Sequence, residues 1–150
     1  RNTNGSNISF RRELLEELGG FDESLGRQGT TQMQAEETEF CARMRRMTGH
    51  GTWYEPDAKV AHKIFKHRTQ PSYLIKRAFW QGYSKQVMKK IQPMSSSVEA
   101  DFLRQLVVQS IPQRLVKLFR SPSLERATQL MMLFSLCISV GVGYLYGMVQ

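Results

Sequence analysis

The sequence predicts an α/β unit that is mostly helical over this length and is followed by a transmembrane helix. Three observations carry that expectation. Helical periodicity recurs in segments that end at glycine, a short β-prone run passes through Val60 to His62, and the last 23 residues, "TQLMMLFSLCISVGVGYLYGMVQ", hold no charge.

Composition agrees with a folded chain. Its 150 residues are 41% hydrophobic and 10% aromatic, enough for a core and unlike a disordered tail. The net charge of +8 is ordered along the chain. Residues 1–58 carry seven Arg and no Lys against ten acids, residues 59–126 carry fourteen bases against three acids, and residues 127–150 carry neither. A basic stretch that leads into an apolar one suits an anionic membrane surface, where each base contributes about 1 kcal/mol. Nucleic acid is the rival partner, but the apolar tail already accounts for the charge and no nucleic-acid partner is expected. Cys41 and Cys137 lie far apart in unlike surroundings, which speaks against a disulfide framework and for a reducing compartment. The opening "RNTNGSNISF" has no initiator Met, charged leader or apolar signal core, so we read the chain as starting partway through a longer protein.

The first element is a short helix in "NISFRRELLEELGGFDE". Ser9 or Asn7 is placed to cap it, Leu14, Leu15 and Leu18 form its apolar face, and Gly19-Gly20 supply a left-handed stop before Phe21 packs back. "SLGRQGTTQMQ" has glycines and small polar residues without periodicity and reads as a mobile loop. The next helix runs from about Ala35 to Thr48, with Phe40, Met44 and Met47 at i, i+4 and i+7 and a Glu39–Arg43 pair in the favourable order. "GHGTWYEPDAKVAH" then gives a glycine stop, an aromatic pair, a Pro-Asp turn and the β-prone run.

After Pro71 a long amphipathic helix is expected, with Leu74, Ala78, Phe79 and Gly82 near one face and Lys76, Arg77, Lys85, Lys89 and Lys90 on others. "QPMSSSVEAD" is a linker by composition. Beyond it "FLRQLVVQSIPQRLVKLFRSP" mixes apolar groups with bases that snorkel outwards from a headgroup layer, and Pro112 interrupts any helix there. The uncharged end is long enough for one span, with Tyr144 and Tyr146 suited to an interface. A buried core helix is the bland alternative, which its three glycines and lack of a polar face disfavour. Bases flank only its upstream side, which puts that side in the cytoplasm. The resulting organisation is 1–91, 92–126 and 127–150.

The residues that could do chemistry centre on "AEETEF", Ala35 to Phe40, with three carboxylates in four positions. An acid-rich first helical turn explains them without function, because free N–H groups and the helix dipole favour anions. A functional reading needs one carboxylate to face a cleft as a general base, and spacing alone does not select which. His62 stands alone at the end of the β-prone run, and His50 and His67 read as solvated loop residues. "GRQG" and "GHG" lack the pattern of phosphate-cradling loops, and no nucleophile elbow is present.

Taken in order, "GSNISFRRELLEELGGFDESL", "EETEFCARMRRMTG", "WYEPDAKVAH" and "KRAFWQGYSK" resemble the C-terminal half of family 2 glycosyltransferases of the GT-A fold. The resemblance covers about residues 4–91. It implies an inverting enzyme that moves a sugar from a nucleotide-sugar donor to the hydroxyl of a glycan or lipid-linked acceptor, with a divalent metal, manganese or magnesium. The family's Glu-Asp pair falls on Glu36 and Glu37, which makes Glu37 the implied catalytic base, with Glu36 or Glu39 as alternatives. Glu stands where the family has Asp, which keeps the charge but lengthens the reach. Asn7 matches the turn beside the acceptor and donor-sugar pocket, Glu39 is carried as substrate-binding, His62 matches a histidine that helps bind the metal in some members, and Arg43 matches the helix arginine. No Asp-x-Asp occurs in the 150 residues, so the nucleotide-binding half is expected upstream and this stretch alone is expected to be inactive. A membrane-tethered interaction domain on the same scaffold is the reading from another class.

Overall fold

The computed structural model describes residues 5–91 and 104–150. The linker read over 92–101 therefore lies outside the described residues. Contacts divide the chain into two compact units, one through Thr69 and one from Gln70 to Gln150.

The first unit is built on two helices and an aromatic core. Helix α1 spans Arg12–Glu17, and α2 spans Glu36–Thr48. Gly19 and Gly20 both have positive φ, 74° and 75°, a conformation glycine adopts without a Cβ penalty, and the chain reverses there as expected. Reversal delivers Phe21 onto Phe40, with ring centroids 4.9 Å apart, while Phe10 meets Phe40 edge-on at 4.6 Å. Phe40 is fully buried and sits with Leu18 and Met44, against which Phe10, Leu14 and Leu15 pack. Burying one such ring contributes about 1.5–3 kcal/mol.

Several expectations need correction here. The α1 cap position is Arg11, and no side chain caps it; Asn7 is bonded elsewhere instead of capping the helix. Met47 is exposed, as is the rest of the last turn of α2, which Gly49 ends in a left-handed conformation directly after Thr48. The stretch read as a mobile loop is ordered. Asp22 caps a 3-10 turn over Glu23–Leu25, and strands β1 (Arg27–Gln28) and β2 (Thr31–Gln32) pair antiparallel through Gly29 at φ 55°. Leu25 and Met33 are buried, which anchors both sides of this small hairpin. Its strands are two residues long, too short to show a period. The β-prone run Val60 to His62 forms no strand. It is exposed, and a strand needs a hydrogen-bonded partner that the described residues do not offer it. The described chain is thus mostly helical, with one two-stranded sheet.

Three helices of the second unit lie among the described residues with both ends defined. Helix α3 spans Pro71–Ile91, α4 spans Ile111–Arg120 and α5 spans Leu124–Val149. A π-turn over Leu106–Ser110 precedes α4, with the Ile111 amide donating to the Leu106 carbonyl. Contrary to expectation Pro112 does not interrupt the helix: helical backbone continues through Ser110 and Ile111, and the missing N–H is accommodated by the widened π-turn just before it.

Helix α5 begins one turn earlier than the uncharged run, with Ser123 Oγ accepting from the Arg126 amide. It packs along α3 through glycines. A Cβ on Gly143 would crowd the backbone of Phe79, and one on Gly82 would crowd that of Val140 and Tyr144. Ser139 Oγ donates to the Ile75 carbonyl at 2.7 Å, and Gly147 lies against Gln86. The paired positions ascend together, so α3 and α5 run parallel. At 26 residues α5 is long enough to cross a membrane, and it is apolar enough, with a mean hydropathy of 1.8 over an 18-residue stretch. Most of its apolar surface stays open, unlike that of a soluble core helix.

Candidate active site

The acidic cluster occupies the start of α2. Its cap residue, Ala35, offers no side-chain acceptor to the first free amides, so the carboxylates of Glu36, Glu37 and Glu39 lie where helix-end N–H groups favour negative charge. Ala35 is itself buried, and its amide donates to the Leu25 carbonyl at 3.2 Å, which ties the helix start to the hairpin region.

Tertiary neighbours then give the three acids different surroundings. Glu39 is buried and bonded at both oxygens by Arg43, at 3.1 Å from Nε and 2.8 Å from Nη2. The same guanidinium donates to the Leu18 and Gly20 carbonyls, so it caps the end of α1 from α2. Glu36 lies beside Gly26, with its Cδ 3.8 Å from where a Cβ would stand, and its buried Oε2 has no hydrogen-bond partner among the described residues. Glu37 is half-buried and lies directly against the backbone of Gly5.

Asn7, two residues on, donates from Nδ2 to the Ala58 carbonyl at 2.6 Å. That bond ties the "GSN" turn to the segment after Pro56-Asp57, where a turn forms as expected. The structure thereby brings Glu37, Gly5 and Asn7 into one corner and holds the 58–62 segment to it. His62 is exposed in that segment, and His50 and His67 are exposed as well. No group of three His, Cys, Asp or Glu among the described residues could hold a metal ion.

Chemically, the start of α2 offers two carboxylates without an ion pair among the described residues, Glu37 in this corner and Glu36 beside Gly26. An ionised carboxylate at such a place can accept a proton from a hydroxyl. Gly5 against Glu37, Gly26 against Glu36 and the buried Ala35 at the helix start escaped sequence reasoning as shapers of these surroundings. A small residue announces room but does not say what fills it. Asp22 is a further acid nearby in sequence. Its carboxyl is held below the ordinary range by the Ser24 hydroxyl and amide, with help from the Arg43 charge.

No protein-family model matches the chain, and no solved structure matches it. It is, however, 42% identical over 148 residues, or 99% of its length, to a glucosyl-dolichyl phosphate glucuronosyltransferase of Haloferax volcanii. The chain spans about half, 47%, of that relative.

Proposed function

We propose that this chain is the C-terminal half of the catalytic domain of an inverting glycosyltransferase, of family 2 and the GT-A fold, joined to a membrane anchor. The observation that carries the reading is the 42% identity over nearly the whole chain to an enzyme named for glucuronosyl transfer to a dolichyl phosphate-linked glucose. The acidic corner and the long apolar helix support it.

In this reading a nucleotide-sugar donor is held mainly by the remaining half of the protein, and the acceptor is a sugar on a lipid phosphate. Glu37 takes the proton from the acceptor hydroxyl as its oxygen bonds to the anomeric carbon, and the donor's nucleoside diphosphate leaves with the electron pair of the broken bond. Glu36 stands beside it, Asn7 orders the turn against which Glu37 rests, and Glu39 serves through Arg43 by fixing the helix that presents both. Helix α5 spans the bilayer. Arg114, Lys117 and Arg120 precede it and Arg126 stands in its first turn, and bases on that flank favour a cytoplasmic catalytic side.

The described residues alone do not make a cation site, so no step here runs through one. Manganese or magnesium, with His62 as one ligand, remains part of the proposal by resemblance only. A metal titration of His62→Ala against wild type addresses it, and superimposable curves would remove His62 from that role.

The test of the reading is Glu37→Gln in the full-length protein, assayed for transfer of the sugar from its nucleotide donor to a dolichyl phosphate-linked acceptor. We expect loss of about 10²-fold or more with binding of donor retained. Transfer at the wild-type rate would exclude Glu37 as the base, and absence of transfer in the wild type with any nucleotide sugar would exclude the reading.

A further inference from the structure

Between helices α4 and α5 lies a polar pocket that opens onto a shallow groove along α5, so the two ends of the cleft differ in chemistry. One end is a polar pocket of about 310 Å³ lined by Ser110, Gln113, Arg114, Lys117, Arg126 and Gln129. It shares Arg114 and Gln129 with an open groove of about 860 Å³, whose far end is walled by Met132, Leu133 and Leu136. Along α5 the lining passes from Arg126 and Gln129 to Leu136, about 15 Å at 1.5 Å per residue. The gradient is that of an amphiphile with an anionic head.

Charge sharpens the match. Arg114 and Lys117 stand one turn apart on α4, Arg126 faces them from the first turn of α5, and none of the three forms an ion pair among the described residues. Arg126 keeps its place by donating to the Ser121 carbonyl. Glu125, the one carboxylate on the groove among the described residues, borders the apolar part and not the polar pocket, and its Oε1 accepts from Gln129 Nε2 at 3.0 Å. Three convergent bases answer a phosphate, since guanidinium and ammonium groups form charge-assisted bonds to its oxygens. The adjoining leucines and methionine answer a long hydrocarbon chain.

We propose that the α4–α5 cleft is a discrete site for one lipid phosphate, with the phosphate at Arg114, Lys117 and Arg126 and the chain laid along Met132, Leu133 and Leu136. The inference rests on the lipid-acceptor reading above and gives that acceptor a place. Arg120, on the same helix, lines neither part of the cleft. A merely electrostatic attraction to anionic membranes would use it as well as Lys117.

The full-length protein in phosphatidylcholine nanodiscs, titrated with dolichyl phosphate, tests the site. Arg114→Ala with Lys117→Ala should weaken binding about tenfold or more, the scale of one or two lost charge-assisted contacts. The charge-matched pair Arg104→Ala with Arg120→Ala, at two bases that line neither part of the cleft, should leave it within about twofold, and Leu136→Trp should weaken it by filling the groove. Dolichol and inorganic phosphate should each bind far more weakly than dolichyl phosphate. Equal losses in the two double variants, or equal retention of phosphatidylglycerol, would reduce the site to bulk membrane charge and overturn the proposal. So would inorganic phosphate binding as tightly as the lipid. The same preparations separate the two claims. Selective binding without sugar transfer would leave the cleft standing and sink the glycosyltransferase reading, whereas transfer unaffected by the Arg114/Lys117 double variant would do the reverse.

Discussion

Glu37 and Gly5 touch so closely that a methyl group on Gly5 would overlap the Glu37 carboxylate, coming within 3.0 Å of its Cδ. Position 5 has to be glycine for the carboxylate to lie where it does. The obstruction is the end of a flexible side chain, so Gly5→Ala should cost little stability while turning the carboxylate away. If Glu37 is the base, a displacement of about 1 Å is worth about 10²-fold in rate. We expect the turnover of Gly5→Ala to fall on that scale with the unfolding midpoint nearly unchanged. Wild-type turnover in a folded Gly5→Ala protein would show that the position of Glu37 does not matter to the reaction.

Arg43 joins three things at once: the buried Glu39 carboxylate, the Leu18 and Gly20 carbonyls that end α1, and the Phe40 ring, 5.5 Å from its Cζ. Arg43→Ala leaves a buried charge unpaired and two carbonyls without their donor, a loss of about 3–5 kcal/mol on the scale of broken buried pairs. Arg43→Lys should recover only part, because one ammonium cannot reproduce the fork. Urea unfolding of both variants checks this. Equal midpoints for Lys and wild type would mean that the charge alone matters.

How much of this was legible in the sequence differs from residue to residue. Phe40 and Met44 were readable as core because a 3.6-residue period survives in thirteen residues of helix, and Gly19-Gly20 because left-handed turns demand glycine. Met47 follows the same period yet is exposed, since periodicity marks a face and not how far the neighbouring layer extends over it. Val60 to His62 has strand propensity, but a strand is a property of two partners. The acidic cluster was visible as a set, and its division of labour was not. Which acid meets Arg43, Gly26 or Gly5 depends on residues brought from 4 to 32 positions away.

Asp22 should make stability depend on pH in a defined direction. Its Oδ1 accepts from the Ser24 hydroxyl at 2.6 Å and the Ser24 amide at 3.0 Å, which holds the folded carboxyl below its ordinary value of 3.8. A depressed folded pKa contributes stability that is present above the unfolded value and disappears as pH falls through the folded one. Ser24→Ala should therefore raise the Asp22 titration midpoint seen by NMR, and its stability deficit at neutral pH should vanish in acid. An unmoved Asp22 midpoint in Ser24→Ala would rule out the hydroxyl as the cause.

The parallel packing of α3 on α5 makes a prediction that separates two glycines of one helix. A Cβ on Gly143 would stand 3.1 Å from Phe79 Cα and closer still to its carbonyl, whereas one on Gly141 meets nothing within 4 Å. Replacing either by Leu raises intrinsic helix propensity by up to about 1 kcal/mol, so a loss at position 143 has to come from packing. Overfilling a close helix contact costs about 1–3 kcal/mol, and small residues are what let helices approach in lipid. With Cys41 and Cys137 replaced by Ser, cysteines at positions 75 and 139 report the approach, because Ser139 bonds the Ile75 carbonyl. Oxidation should cross-link that pair in the Gly141→Leu background and fail in Gly143→Leu. Equal cross-linking in both would show that the two helices do not depend on the glycine at 143 to meet.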